Sequence, residues 1–224
     1  YVCIWHMPSA MSLMSDERFK TSQGCSNSLT KIMKASSKNV HLVVWETDSI
    51  PKEWQASIKY WKPDLILTAS KWNQEALNKI CKTDVVPHLI EEKNIVAENF
   101  LANMDLDNKF VILTTSQWSQ RKGFDYLLRA FIAELGDQSD ALLLLKTYPN
   151  AGYDVEAMKK EINYYKSIIR IDNKVNNIAL IPNFLSDEKM KYLYEKCDVF
   201  SLLSRGEGFS LPISEALMSK KPVI

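Results

Sequence analysis

Glycine is scarce, with six residues in a chain of 224, and the six form neither G-x-G-x-x-G nor G-x-x-x-x-G-K-[ST]. The two commonest glycine-rich phosphate loops are therefore absent. Charge of one sign is also missing: 28 Lys and Arg stand against 27 Asp and Glu, for a formal net charge of +1. That balance gives no polybasic footprint for a nucleic-acid backbone. No apolar run approaches the roughly 18 to 20 residues of a membrane span; stretches such as Ala141 to Leu145 are the longest. Cys3, Cys25, Cys81 and Cys197 are far apart and form no C-x-x-C pair, in a chain too large to need disulfide staples. A reducing, cytoplasmic location is the expectation. His6, His41 and His88 share no metal-ligand spacing, which argues against a structural zinc site. A charged n-region and a signal cleavage site are lacking too. The chain opens on Tyr1 and stops at Lys221 to Ile224, which reads as the start of a strand, so both ends are expected to be cut.

What is present is ordinary for a globular protein: 46% hydrophobic and 25% charged residues. The length admits one large domain or two small ones. Apolar, β-branched runs recur at Phe110 to Thr114, Ala141 to Leu145, Ile178 to Ile181, Val199 to Leu203 and from Val223 onward, each interval leaving room for one helix. Phe124, Leu127, Leu128, Phe131 and Leu135 form one helical stripe, and Met190, Leu193 and Tyr194 another, with Ser186 as its N-cap. Strands that are apolar almost throughout are buried on both faces, which predicts a parallel sheet covered by helices.

The front of the chain repeats this rhythm less fully. Strands are expected at Val2 to Trp5, His41 to Trp45, Asp64 to Thr68 and Asp84 to Val86, and helices at Trp54 to Tyr60 and Trp72 to Ile80. Pro8 to Lys38 reads as a loop with a short helix. Glu91 to Lys109 is polar and aperiodic, and the domain boundary is placed there, giving 1–105 and 106–224. The tryptophans at 45, 54, 61, 72 and 118 read as packing residues.

Three loops follow strands, where open α/β sheets bind ligands. Ser204 to Glu215 joins the run Val199 to Leu203 to the next helix, with Pro212 in its first turn. Gly206 and Gly208 permit close backbone approach, and the free N–H groups of Phe209, Ser210 and Leu211 at a helix N-terminus suit a phosphate. Glu207 and Glu215 flank that cradle, and carboxylates accept paired hydrogen bonds from sugar hydroxyls. The pattern fits a nucleotide sugar, or else a glycine-containing loop with two solvated glutamates. In the second loop, Ser116 to Gly123, Arg121 and Lys122 can reach a pyrophosphate and stabilise a departing diphosphate. In the third, Glu46, Thr47 and Asp48 follow a strand and precede Pro51; Asp48 either faces an acceptor or caps the helix starting there. His88 is either a wall residue or a base, and Lys146 sees either phosphate or a surface carboxylate.

These residues resemble a known family. Glu207 to Glu215 reproduces the E-x7-E signature of the family 4 retaining glycosyltransferases (glycosyl transferases group 1) of the GT-B fold. Gln117 through Ala130 is similar to that family's lysine-glycine segment, and Leu145 to Tyr148 and Ser201 to Pro222 are similar as well. Val44 to Asp48, Ser70 to Asn73 and Val86 to His88 resemble the acceptor-side domain of one subgroup. The resemblance implies an α/β fold of two Rossmann-like domains with parallel sheets facing across a cleft. It implies catalytic roles for Lys122, Arg121 and Glu207, Lys122 on the diphosphate and Glu207 on the transferred sugar. Glu215 would bind the ribose, Gly208, Phe209, Ser210, Leu211 and Gln117 would lie along the donor, and Leu185 would lie near the base or else belong to the core. Glu46, Thr47, Asp48 and His88 would form the acceptor side.

One departure is notable: many members carry an arginine where this chain has Gln117, and Arg121 is the candidate replacement. The resulting expectation is hexose transfer from a nucleoside diphosphate sugar to an acceptor hydroxyl on a glycan, lipid or other molecule, with retention and without a metal or other cofactor. Nucleic acid is not an expected partner; peripheral membrane contact is compatible with a lipid-linked acceptor. The alternative is a non-catalytic sugar-nucleotide or glycan-binding protein on the same fold. A nicotinamide-dependent oxidoreductase is disfavoured by the missing glycine fingerprint.

Overall fold

The computed structural model describes residues 2–6, 31–32, 35–91, 94–149, 152–169 and 175–224. Their contacts form two units: Tyr1–Leu89 with Gly206–Phe209, and Ile90–Arg205 with Ser210–Ile224. The boundary drawn from sequence near residue 105 lies inside the second unit. The preceding polar stretch is aperiodic, yet Ala97, Phe100, Leu101 and Met104 pack on that unit's core, and Lys191 Nζ donates to Ile95 O at 2.9 Å.

The first unit carries a sheet of β1 (Val2–His6), β2 (Lys38–Leu42), β3 (Leu65–Thr68) and β4 (Thr83–Val85), parallel throughout and in that order. Helices α1 (Lys52–Trp61) and α2 (Lys71–Leu77) alternate with the later strands. Ile58, Ile66, Ala76 and Leu77 bury a common core with Val43 and Ile50. Strand β2 lies three residues earlier than the apolar run His41 to Trp45 indicates. Val43 N still donates to Leu67 O at 2.8 Å, but Trp45 N turns to the Asn73 side-chain oxygen at 2.5 Å, and the chain leaves the sheet. Helix α1 has Pro51 at its N-cap with no side-chain cap, so Asp48, which is exposed, is not its cap. Trp72 is 42% exposed and so lies outside the core. Of Pro8 to Lys38, only 31–32 and 35–38 fall within the described residues.

The second unit has β5 (Phe110–Thr115), β6 (Ala141–Lys146), β7 (Ile178–Ile181) and β8 (Val199–Phe200), all parallel, in the order β7-β6-β5-β8. Strand β6 is buried at every position, as expected of an apolar run between two covered faces. Leu143 packs toward α3 (Phe124–Leu135) and α4 (Val155–Ile169) with Leu128, Ile132 and Met158. Leu142 and Leu144 pack toward α5 (Asp187–Lys196) and α6 (Leu211–Met218) with Leu193, Tyr194 and Ala216. Each fully buried leucine contributes about 1.5 to 3 kcal/mol over its exposed state. Helix α4 was not singled out from sequence, although Met158, Ile162 and Tyr165 line its buried face at helical spacing. Ser186 stands at the N-cap of α5 as expected, but its side chain makes no capping hydrogen bond. The run Val199 to Leu203 is ladder only at its first two residues; Ser201 N and Leu202 N continue the bonding to Leu113 O and Ile224 O. Among the described residues no helix is long and apolar enough to cross a membrane.

Candidate functional site

Strand order β7-β6-β5-β8 puts two strands that are far apart in sequence side by side, β5 and β8, with chain connections leaving them in opposite directions. This is a topological switch point, and open α/β sheets bind ligands beyond the carboxyl ends of the strands at such points. The loop after β5 holds Gln117 to Gly123, and the loop after β8 holds Ser201 to Ser210.

Within the second unit the two loops are fastened to each other. Arg205 N donates to Arg121 O at 2.7 Å, and Ser204 Oγ to the same oxygen at 3.2 Å. The Arg205 guanidinium grips Asp125 with two bonds of 3.0 and 2.7 Å and lies 4.2 Å from the Tyr126 ring centre. This fork holds the Asp125 carboxyl below its ordinary range. Gly123 closes the 3-10 turn Gln120–Lys122 with φ of 70°, and a Cβ there would meet Leu203 O at 1.9 Å. Only glycine permits this backbone approach.

Lys122 and Arg121 are half-buried on that turn, while Gln117 is exposed at its start. Trp118 points the other way: it is 1% exposed, stacks on Phe124 at 4.3 Å and donates its indole N–H to Glu161 Oε2 at 2.8 Å. It therefore anchors the loop, as packing residues do. A separate cavity of ≈ 330 Å³ lies between Trp118, Tyr153, Glu161 and Tyr165.

Helix α6 begins where the loop after β8 ends. Ser210 adopts φ of 65°, a left-handed conformation that costs a non-glycine residue about 1 to 2 kcal/mol. Its hydroxyl is buried with no hydrogen-bond partner among the described residues. Backbone N–H groups at a helix N-terminus are compatible with an anion. Leu211 is the first helical residue, and Pro212 follows without an N–H to satisfy.

Glu215, exposed on the second turn of α6, is held from behind. Tyr194 of α5 donates its hydroxyl to Glu215 Oε2 at 2.8 Å and meets Thr115 Oγ1 at 3.1 Å. Burial first, and the nearby Glu215 charge second, push the Tyr194 hydroxyl well above the usual tyrosine range, so it remains a donor. Tyr194, Thr115 and Arg205 were not among the residues expected from sequence. Leu185 is half-buried and packs against the core beside Met190 and Ile213.

Gly206–Phe209 belongs by its contacts to the first unit. A Cβ on Gly206 would meet Glu46 O at 2.2 Å, and one on Gly208 would meet Val44 Cγ1 at 2.2 Å. Both glycines are required by close packing on the segment that follows β2. Asn73, fully buried at the start of α2, accepts from Trp45 N and donates to Gly208 O at 3.3 Å, binding the two segments together. Phe209 meets His88 edge-to-face at 5.1 Å. Glu207 and Glu46 are half-buried; Thr47 and Asp48 are exposed, Thr47 donating to Ser49 O at 3.2 Å. The triplet Asp105-Leu106-Asp107 has the spacing of a metal-binding aspartate pair. Its carboxylates are engaged otherwise, Asp105 with Asn108 and Asp107 with Lys196 at 2.5 Å.

Comparison with known proteins agrees with this architecture. Sucrose-phosphate synthase from Thermosynechococcus elongatus superposes with a TM-score of 0.71 at 16% identity, over 98% of this chain and 55% of that one. The pneumococcal O-GlcNAc transferase GtfA, in complex with UDP and GlcNAc, gives 0.58 at 16% identity over 87% and 38%. The fold is α/β of the GT-B type. In sequence, the alpha-galactosylglucosyldiacylglycerol synthase of Streptococcus pneumoniae is 28% identical over 118 residues, 53% of this chain and 29% of that protein. The serotype-specific mannosyltransferase WbdA of Escherichia coli is 27% identical over 175 residues, 77% and 19% respectively. The chain thus spans less than half the length of the curated relatives it matches. The model of the glycosyl transferases group 1 covers residues 109–224, the whole stretch from β5 through the fastened loops to the end of the chain, and on that match the chain belongs to this family.

Proposed function

We propose that the protein transfers a hexose from a nucleoside diphosphate sugar to an acceptor hydroxyl with retention at the anomeric carbon, as the E-x7-E resemblance implies. The observation that carries the reading is the fastening of the β5 and β8 loops. Arg121 and Lys122 stand on one of these loops, and the other leads into the strained start of α6, where Tyr194 holds the carboxylate of Glu215 one turn further on; this supports the reading.

In this reading Glu215 accepts hydrogen bonds from the ribose hydroxyls. Lys122 and Arg121, with the N–H groups of Phe209, Ser210 and Leu211, hold the diphosphate, and Glu207 contacts the hexose. The bond from C1 to the diphosphate oxygen breaks as the acceptor oxygen bonds to C1 on the same face. The acceptor's proton passes to the departing diphosphate. Cations and amides placed where that charge develops lower the barrier, and orientation supplies much of the rest. No protein nucleophile and no metal enter the scheme. Glu46, Thr47, Asp48 and His88 remain the acceptor-side proposal.

The test is release of nucleoside diphosphate from UDP-, GDP- and ADP-hexoses. Slow release without acceptor, abolished by Lys122→Ala, supports transfer. Gln117 motivates a second reading, a non-catalytic binder with too little positive charge for departure of the diphosphate; it predicts tight nucleotide binding with no release at all.

A further inference from the structure

We propose that Lys146 determines the nucleotide specificity of the donor site by donating a hydrogen bond to a ring oxo group of the base, selecting uracil or guanine over adenine. This rests on the donor-site reading above and deepens it.

Position comes first. Lys146 is the last residue of β6 and the register partner of Thr115 on β5. Residues paired in register share a face of the sheet. Thr115 contacts Tyr194, and Tyr194 holds Glu215, so Lys146 emerges on the Glu215 side of the sheet at its carboxyl end. Two residues onward, Tyr148 stacks on Phe184 with ring centres 5.3 Å apart and planes 20° apart; Phe184 is 83% exposed. The Lys146 ammonium lies 6.0 Å from the Tyr148 ring centre. A cation is therefore set beside an aromatic pair with one exposed ring, on the sheet face that carries Tyr194 and the proposed ribose ligand Glu215.

The chemistry of Lys146 is incomplete as it stands. The residue is only 7% exposed, yet among the described residues its one hydrogen bond goes to Thr147 O at 3.0 Å, and no carboxylate there pairs with it. An ammonium has three donors and no acceptor. Burial holds its pKa below the ordinary lysine value, the sign of a charge without compensation. A buried cation that no protein anion satisfies costs stability unless a ligand oxygen meets it.

Division of labour follows. Stacking on Phe184 accepts any base, because every base has a π face. Discrimination must come from hydrogen bonding, and a group that only donates favours an edge rich in oxo acceptors. Guanine presents O6 and N7, whereas adenine presents an amino donor where guanine has O6. Uracil carries two oxo groups.

The experiment is calorimetric titration of the full chain, Lys146→Met and Lys146→Gln with UDP, GDP, ADP and inorganic pyrophosphate. The unsubstituted chain is expected to bind UDP or GDP at least tenfold more tightly than ADP. Lys146→Met should remove that preference through at least a tenfold loss for the favoured nucleotide, while pyrophosphate affinity stays within twofold. Lys146→Gln, which keeps a donor, should recover part of the preference. Melting of unliganded Lys146→Met should be unchanged or higher, since an uncompensated charge is gone; a clear fall would indicate a structural lysine and overturn the proposal. An equal loss for pyrophosphate, a retained base preference, or ADP as the favoured ligand would also overturn it. Nucleotide binding abolished by Glu215→Ala but untouched by Lys146→Met would sink this inference alone, and no nucleotide binding by the unsubstituted chain would remove the donor site with it.

Discussion

Tyr194→Phe isolates the support behind the candidate ribose ligand. The substitution deletes one oxygen from a ring that is 4% exposed and leaves its packing on Phe200 in place. Three contacts of the hydroxyl disappear: the 2.8 Å donation to Glu215 Oε2, the 3.1 Å contact with Thr115 Oγ1 and a long one of 3.4 Å to Pro212 O. Hydrogen bonds to a charged group contribute about 1.5 to 3 kcal/mol, and a buried hydroxyl left unpaired costs about 1 to 3 kcal/mol. Glu215 is exposed and regains water, so its share falls at the low end, whereas Thr115 is 5% exposed and does not. We expect a stability loss of about 1 to 3 kcal/mol by denaturant unfolding, together with several-fold weaker nucleotide binding. The decisive arm is a double-mutant cycle with Glu215→Ala. If Tyr194 acts on the ligand only by orienting Glu215, the double mutant binds nucleotide no more weakly than Glu215→Ala alone. Additive losses in affinity would refute that reasoning.

Other consequences follow from the same geometry. Gly123→Ala forces a left-handed alanine and drives its Cβ into Leu203 O, so the second unit should lose more than about 3 kcal/mol, a melting shift of roughly 6 to 12 °C; a shift under 2 °C would show that the two loops are not in close contact. Lys122→Ala should lower kcat by at least tenfold with little change in KM, because its charge matters most as the diphosphate departs; a pure KM effect would make it a ground-state ligand. His41 is buried in β2 with Nε2 unpartnered among the described residues, and burial lowers its pKa. The unfolded chain then takes up the proton first, so stability present above about pH 6.5 falls as the pH drops below it, by up to about 1.4 kcal/mol per pH unit. His41→Leu should flatten melting temperature between pH 7 and 5, and an unchanged slope would place the proton elsewhere.

Much of the second unit is legible in the chain. Buried parallel strands must be apolar on both faces, and so Ala141 to Leu145 and Ile178 to Ile181 announce themselves almost to the residue. The turn bearing Lys122 and the helix bearing Glu215 are readable because loops after strands and a proline in a first helical turn carry local signals. What supports them is not local. Tyr194 reads as one member of an apolar stripe, and nothing in its neighbourhood says that its hydroxyl reaches a carboxylate 21 residues away. Arg205 looks like a solvated charge until α3 brings Asp125 to it. Asn73 sits in a short helix with no hint that it ends β2 by capturing Trp45 N. Lys146 shows the limit best: its sequence position left phosphate and a surface carboxylate both open, while burial without a carboxylate leaves the second option unsupported.

The central claim is that a nucleoside diphosphate binds where the β5 and β8 loops are fastened. Hydrogen–deuterium exchange of the full chain, with and without the nucleoside diphosphate that binds it most tightly, tests this directly. Slowed exchange concentrated in residues 116–123 and 203–215, and lost in Glu215→Ala, is the predicted result. Saturating nucleotide that protects other segments and leaves these two unchanged would contradict the account.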